Sequence, residues 1–548
     1  MAAQLWGWLG QGDDPLEGKA LAERLLCDML GLDGLRHVAP MAFDEKSLRL
    51  SRLNRGAQTE LATRFGPDGF TVDPLERAAL SLGQSYPDQL ARRAGRISDP
   101  VDAVVSPPDS DGALELLSMA ARLGFCVTPS GGATNVTGGF ASADIRPRVA
   151  ASMRRMNRLL DLNETDMTTE AEAGMMLAEL EAILNLRGYG LGHFPQSYHG
   201  VTLGGAVAAH GSGQRSNGYG RMADMVLSAR LATPRGIWST EMHRHSASGP
   251  WLGGLVAGSE GLLGLITSVR LRIRKKPQVI DDRGWLAPSF EAAMNAARAL
   301  VQCGAGLSMI RISDEIETDF LGRFRLAMKG LNAPAALERL ALQFKRAPDR
   351  GALVIAGFEG DSGRRADVMA EAQSEMRKHG AVSLGGSPGA SWRKSRYDLP
   401  FLRESLLLRG IGVDTFETVA PWSRLAELKA AVGQAFDRAM SGSISGDTRG
   451  VLMCHLSHSY PEAACLYFTA LFAQSDDPLS QWKKIKTEIS QAIGAHGGAA
   501  SHHHGVGSDH AAMARSEKDS IGLDVLRSLK HTLDPENILV TGMSRLLG

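Results

Sequence analysis

Apolar positions recur along the chain in two periods, and each change of period marks an element. Residues 20–30 carry them at helical spacing with Gly31 as the stop, and residues 75–82 repeat the pattern. The first 97 residues therefore read as a polar, mostly helical region. Residues 101–105 are a β-branched run closed by Pro107 and Pro108, which predicts a strand. Asp109 or Ser110 then caps a helix through Leu114, Leu117 and Leu123; Gly124 ends it, and residues 125–129 form the next strand. From 148 to 277 short apolar runs alternate with turns, and Val269-Arg270-Leu271-Arg272-Ile273 has the period-two pattern of a half-buried strand. A helix over 177–186 interrupts that series. The mixture predicts an α+β fold and not a doubly wound parallel sheet. Near Pro277 the pattern changes again: residues 290–301 are helical, 307–312 strand-like, and helices and strands alternate to about residue 500. A last helix covers 523–529, which leaves four units: 1–97, 98–277, 278–500 and 501–548.

Composition bounds this picture without changing it. At 548 residues the chain exceeds what one core holds, so two or more domains are expected. With 43% hydrophobic residues, 22% charged residues and a formal net charge of zero, it is an ordinary globular chain, and nothing favours nucleic acid as a partner. Five cysteines form no CxxC pair, so neither a zinc knuckle nor a disulfide framework is indicated. The start, residues 1–10, lacks a basic leader, no apolar run is long enough to span a membrane, and Ser544-Arg545-Leu546-Leu547-Gly548 is no peroxisomal address. Cytoplasmic residence is the expectation.

Candidate chemistry enters through three segments of small residues. Ser130-Gly131-Gly132-Ala133-Thr134-Asn135-Val136-Thr137-Gly138-Gly139 follows a predicted strand; Thr202-Leu203-Gly204-Gly205 leads to Gly211-Ser212-Gly213; and Gly258-Ser259-Glu260-Gly261 leads to Gly264 and Ile266. Glycines let a backbone approach a ligand and aim its N–H groups at anionic oxygens, although tight helix–sheet packing uses glycine as well. There is no GxxxxGK[ST], and no GxGxxG opens a long helix, so neither a P-loop nor a Rossmann site is expected. Downstream stands Ser501-His502-His503-His504-Gly505. On an extended segment His502 and His504 would share one side and His503 would oppose them. Adjacent histidines seldom converge on a metal, so no metal is expected. Taken alone, Tyr467 in its apolar run reads as a packing residue and Arg403 as a helix-surface charge.

The glycine segments, with Val104-Val105-Ser106-Pro107, Phe416-Glu417-Thr418, Cys465-Leu466-Tyr467-Phe468, the triple histidine and Leu533-Asp534-Pro535-Glu536-Asn537, resemble the vanillyl-alcohol oxidase superfamily. Within it they resemble the alkyl-dihydroxyacetonephosphate synthases, over roughly residues 95–545. The resemblance implies a two-subdomain PCMH-type FAD-binding domain (98–277), an α+β cap that binds substrate (278–500), helical terminal segments, and a histidine triplet returning to the flavin. The implied cofactor is FAD. Pro129, Ser130, Gly131, Gly132, Ala133, Thr134, Asn135 and Val136 would hold its diphosphate. Thr202, Gly204, Gly205, Gly211 and Ser212 would line the ribityl and ring, and Glu260, Gly261, Gly264 and Ile266 would flank the ring and adenine side. Ala133 departs from the family's third glycine.

The implied reaction exchanges the acyl chain of acyl-dihydroxyacetone phosphate for a long-chain alcohol through a bond to flavin N5, with no net redox change. Tyr467 and His503 would handle the proton, with the tyrosine pKa lowered by neighbouring cations, and Arg403 would take the carboxylate. Arg311, His193, His502 and His504 would complete the substrate side, and 406–408, Ile411, Val413 and Phe416 could line an apolar channel. Lipid-like substrates, a homodimer and peripheral membrane contact belong to the same reading. Two alternatives stay open: an FAD-linked oxidase or dehydrogenase of a 2-hydroxy acid or alcohol, and a flavin-binding protein without turnover.

Overall fold

The strand–helix–strand unit behind the first glycine loop forms for the reasons its sequence suggests. Asp109 accepts a hydrogen bond from the Gly112 N–H and starts the helix Ser110–Leu123; Gly124, at φ +75, stops it. The strands Ala103–Val105, Arg148–Ser152 and Cys126–Ser130 lie parallel in that order, with Phe70–Thr71 antiparallel at the edge. This computed structural model describes residues 14–330, 350–441 and 450–548. The expectation drawn from residues 1–10 lies outside the described residues.

A second sheet is antiparallel, ordered Leu159–Asn163, Thr168–Glu172, Leu265–Arg272, Val226–Thr233 and Gly236–Ser239. Helices Leu177–Leu186 and Leu203–Ala208 cover it, burying Leu180, Leu184, Leu203, Val207, Val269 and Leu271. The end of the chain returns to the first sheet. There the Val540 N–H donates to the Val127 carbonyl, and Leu539 joins its core.

The third sheet has seven antiparallel strands, ordered Val382–Gly385, Val279–Ala287, Ala352–Gly360, Met309–Ser313, Gly450–Ser459, Ala463–Ala473 and Ile411–Pro421. Alternation decides its two faces. Ile310, Ile312, Phe416, Leu456, Leu466 and Phe468 pack under helices that include Phe290–Gln302 and Leu425–Met440. Their neighbours Arg311, His455, Tyr467 and Glu417 point the other way, toward the flavin-side unit. A large sheet with one apolar and one ionisable face is the main architectural fact behind the site.

The N-terminal helices serve two cores. Ala20–Leu30 packs on Glu315–Met328, burying Leu26, Leu30 and Phe320 with Leu406, whereas Leu61 and Phe65 of Arg55–Phe65 join the first sheet. Fully buried Arg215 ties the flavin-side unit to the large sheet, 2.8 Å from Asp282 and 3.1 Å from Glu359. Among the described residues no helix is long and apolar enough to cross a membrane.

Candidate active site

The glycine loop is a cradle built by close approach. A Cβ at Gly132 would overlap the Gly200 carbonyl, and one at Gly131 would overlap the Thr202 hydroxyl. Ala133 takes φ +52 where a glycine would be relaxed, a strain on the order of 1 kcal/mol. Asn135 shapes the turn by accepting from the N–H groups of Thr137 (3.0 Å) and Gly139 (2.7 Å). The hydroxyls of Ser130 and Ser212, both on the cavity wall, are buried without a protein partner. A polar ligand against these walls would satisfy them, so the cradle fits a flavin nucleotide.

One cavity of about 2050 Å³ runs from this cradle past the ionisable face of the large sheet. It ends in an arm lined by Leu21, Leu25, Phe320, Phe324, Leu406 and Val413. Leu407 and Phe416, expected in such a channel, are in the packed core instead. Every cofactor, catalytic and substrate residue named from the sequence lines this one cavity except His502, whereas of the named channel residues only Leu406 and Val413 do.

Tyr467 occupies the middle of its strand, paired in register with Glu417 on one side and His455 on the other. Its ring stacks on His455 at 4.6 Å, lies 5.9 Å from His503 and meets His504 edge-on at 5.4 Å. The expected lowering of its pKa is not found. Burial dominates and pushes the phenol well above its ordinary value, so Tyr467 is a neutral hydroxyl. Arg311 bonds Glu317 at 2.9 Å and approaches His455 Nδ1 at 3.1 Å. Burial opposes the charge of Glu317, but His455 and Arg311 together hold its pKa at about 2. Arg403 donates to the Gln84 carbonyl at 2.7 Å and to its side-chain oxygen at 3.1 Å, leaving its Nε unpartnered. His193 lies under Gly211 with neither ring nitrogen bonded; burial lowers its pKa to about 3 and keeps it neutral.

The triple histidine does not alternate as an extended segment would. Glu417 accepts from Ser501 Oγ (2.6 Å) and from the consecutive N–H groups of His502 (2.6 Å), His503 (3.1 Å) and His504 (2.9 Å). Three successive N–H groups can converge on one anion only if the backbone curls around it. His503 and His504 consequently share the Tyr467 side, while His502 turns behind them to Tyr460. Its expected place beside the substrate is thereby corrected. Burial works against the Glu417 carboxylate, yet the histidine loop and the Ser501 hydroxyl that donate to it keep its pKa well below the ordinary value. A second carboxylate, Glu260, holds the next turn by accepting from the N–H groups of Val506 and Gly507. Desolvation raises its pKa to about 7 against those two bonds.

Sequence reasoning missed His455, His458, Glu317 and Gln84. Histidines three apart on a regular strand face opposite sides. A bulge at His458, which takes φ +51, restores the lost step and brings it to His502 (5.1 Å) and His503 (5.0 Å). The pair His455-x-x-His458 was the available signal. Glu417, Cys465, His502 and His503 also bring ligand-type atoms within 4.8 Å of one another. Four donors reach the carboxylate, and both ring nitrogens of His502 have hydrogen-bond partners, so the group forms a hydrogen-bond network.

A glycine cradle on an α+β unit, closed by a large sheet with an ionisable inner face, defines an FAD-linked flavoenzyme. Residues 101–240 match the family model for an FAD binding domain, and residues 276–543 match that for the C-terminal domain of FAD linked oxidases. The solved p-cresol methylhydroxylase shares the fold, with a TM-score of 0.69 at 13% identity over 91% of this chain and 98% of that one. An alkyldihydroxyacetonephosphate synthase of Trypanosoma brucei brucei is 32% identical over 496 residues, 88% of this chain and 79% of its own. A solved alkyldihydroxyacetonephosphate synthase superposes with a TM-score of 0.83 at 27% identity, over 98% of each chain. The chain belongs to the alkyldihydroxyacetonephosphate synthase family, and its cofactor is FAD.

Proposed function

We propose that the protein exchanges the acyl chain of acyl-dihydroxyacetone phosphate for a long-chain alcohol, making the ether bond of an ether lipid. The observation that carries this reading is the single cavity in which the cradle, the Tyr467–His503–His504 cluster and an apolar arm meet. An enzyme for a small hydroxy acid has no use for the arm. Bound FAD supplies the reactive ring at which the exchange takes place.

The remaining work falls to this chain. The Arg403 fork, free of any carboxylate hydrogen bond and steered by Gln84, suits the departing carboxylate. Arg311 shares its charge with Glu317 and adds a second cation for the phosphate side. The neutral Tyr467 hydroxyl and the imidazoles of His503 and His504 flank the point where a proton leaves and returns. The proposal extends to a homodimer with peripheral membrane contact; Ile316 and Leu399, both exposed at the cavity wall, support the latter.

The test is anaerobic incubation of the FAD-bound enzyme with acyl-dihydroxyacetone phosphate and hexadecanol. Ether product should form without any electron acceptor, and Tyr467→Phe and His503→Ala should each lose about 100-fold to 10,000-fold while staying yellow. Flavin bleaching by substrate, or full activity in either variant, would overturn the assignment.

A further inference from the structure

We propose that Tyr460 and His502 form a hydrogen-bonded chain that fixes the tautomer of His503, so that its proton sits on Nε2 and faces the cavity. The proposal deepens the reading above, because it rests on His503 facing the reacting centre. The chain has two links. Tyr460 Oη lies 2.7 Å from His502 Nε2, and His502 Nδ1 lies 3.0 Å from His503 Nδ1. Each link holds one proton between two heteroatoms, so one choice of direction sets all three residues.

If Tyr460 donates, His502 carries its proton on Nδ1 and gives it to Nδ1 of His503, whose own proton must be on Nε2. In the reverse polarity His503 presents a bare Nε2, and the Tyr460 hydroxyl must find another acceptor. The Tyr460 hydroxyl decides between them. Among the described residues its hydrogen-bond partner is His502 Nε2, so a part-buried phenol that must place its hydrogen gives it to that nitrogen. Burial raises the Tyr460 pKa, outweighing Arg221, which keeps that hydrogen in place. The residue is also fixed at both ends of its backbone: its N–H donates to the Ala463 carbonyl (2.7 Å), and its carbonyl accepts from Trp422 Nε1 (2.8 Å).

The other charged groups around the chain do not reverse it. Glu417 Oε2 is 3.7 Å from His503 Nδ1, beyond hydrogen-bond range, and its oxygens already serve four donors. Burial, reinforced by neighbouring cations and histidines, holds His502 and His503 neutral despite Glu417. His503 therefore meets the substrate with an N–H, as a donor to one of its oxygens. Tyr460 and His502 are positioning residues that act through it.

The experiment uses FAD-bound protein labelled with 15N-histidine and no substrate, with His503 signals identified by their loss in His503→Asn. The expected wild-type spectrum has a protonated Nε2 and an unprotonated Nδ1 at His503. Tyr460→Phe should retain FAD, shift both nitrogens toward the average of two tautomers, and slow exchange about tenfold, the loss of one hydrogen bond. A wild-type His503 protonated on Nδ1, or a Tyr460→Phe spectrum unchanged at His503, overturns the proposal. The wild-type spectrum decides it even if the variant fails to fold. A protein with the expected spectrum but no exchange activity would sink the proposed function and leave this inference standing.

Discussion

The two halves of the cavity hold their ligands in opposite ways. The cradle uses backbone, glycine and neutral hydroxyls, and its key residues are contiguous: 129–136 supply most of one wall. The reactive half uses ionisable side chains of Arg311, Arg403, Tyr467 and the histidine loop, with Gln84 holding Arg403 and Glu417 holding the loop, all drawn from the length of the chain. A flat cofactor needs shape, which short runs of small residues encode locally. A site that moves protons needs charges set against one another in low dielectric, and only the tertiary fold can bring these together. The difference predicts that damage to the two halves will separate cleanly.

The largest effect should come from Gly132→Val. Backbone crowds this position from two directions, at the Gly200 carbonyl and at Val201 Cα, 3.2 Å from an added Cβ. Backbone cannot swing aside as a side chain can. The variant should lose FAD entirely on desalting, read by flavin absorbance, and activity should go with it. A yellow Gly132→Val protein would show that the cradle is looser than its contacts imply.

Glu417→Gln should do the reverse, keeping FAD and disordering the reactive half. An amide offers one acceptor oxygen where the carboxylate serves four donors, and its NH2 opposes the N–H groups of the loop. At least one buried donor is left unpaired, which costs about 1–3 kcal/mol and corresponds to roughly a 10-fold to 100-fold loss of exchange. Flavin content and ether formation measured on one sample test the separation. Parallel loss of both would mean that the histidine loop also holds the cofactor.

The same contrast explains what could be read from the sequence. The strand–loop–helix around Ser130 was legible because caps, stops and glycines act within a few residues of themselves. The histidine triplet was legible as a site but not in direction, since the anion that bends it, Glu417, sits more than eighty residues upstream. His455 and His458 were hidden by a bulge that no local signal announces. Gln84 and Glu317 are ordinary polar residues whose importance comes only from what they touch.

Glu260 joins the halves, and its effect should be the smallest. It stands in the cradle wall at φ +45, yet its carboxylate holds the N–H groups of Val506 and Gly507 beyond the histidines. Its pKa is raised from 4.5 to about 7, so the folded state prefers the protonated acid. The stability this contributes is complete below the unfolded value and is lost as pH rises through 7. The shift corresponds to about 3 kcal/mol at most, less what water in the cavity screens. The thermal midpoint of the wild-type holoenzyme should therefore fall between pH 5 and pH 8 more steeply than that of Glu260→Gln, which cannot titrate. Equal slopes would mean that Val506 and Gly507 already hold Glu260 as a full anion. The histidine loop would then be tied to the cradle by the same device that ties it to the large sheet, a carboxylate kept charged by the backbone it binds.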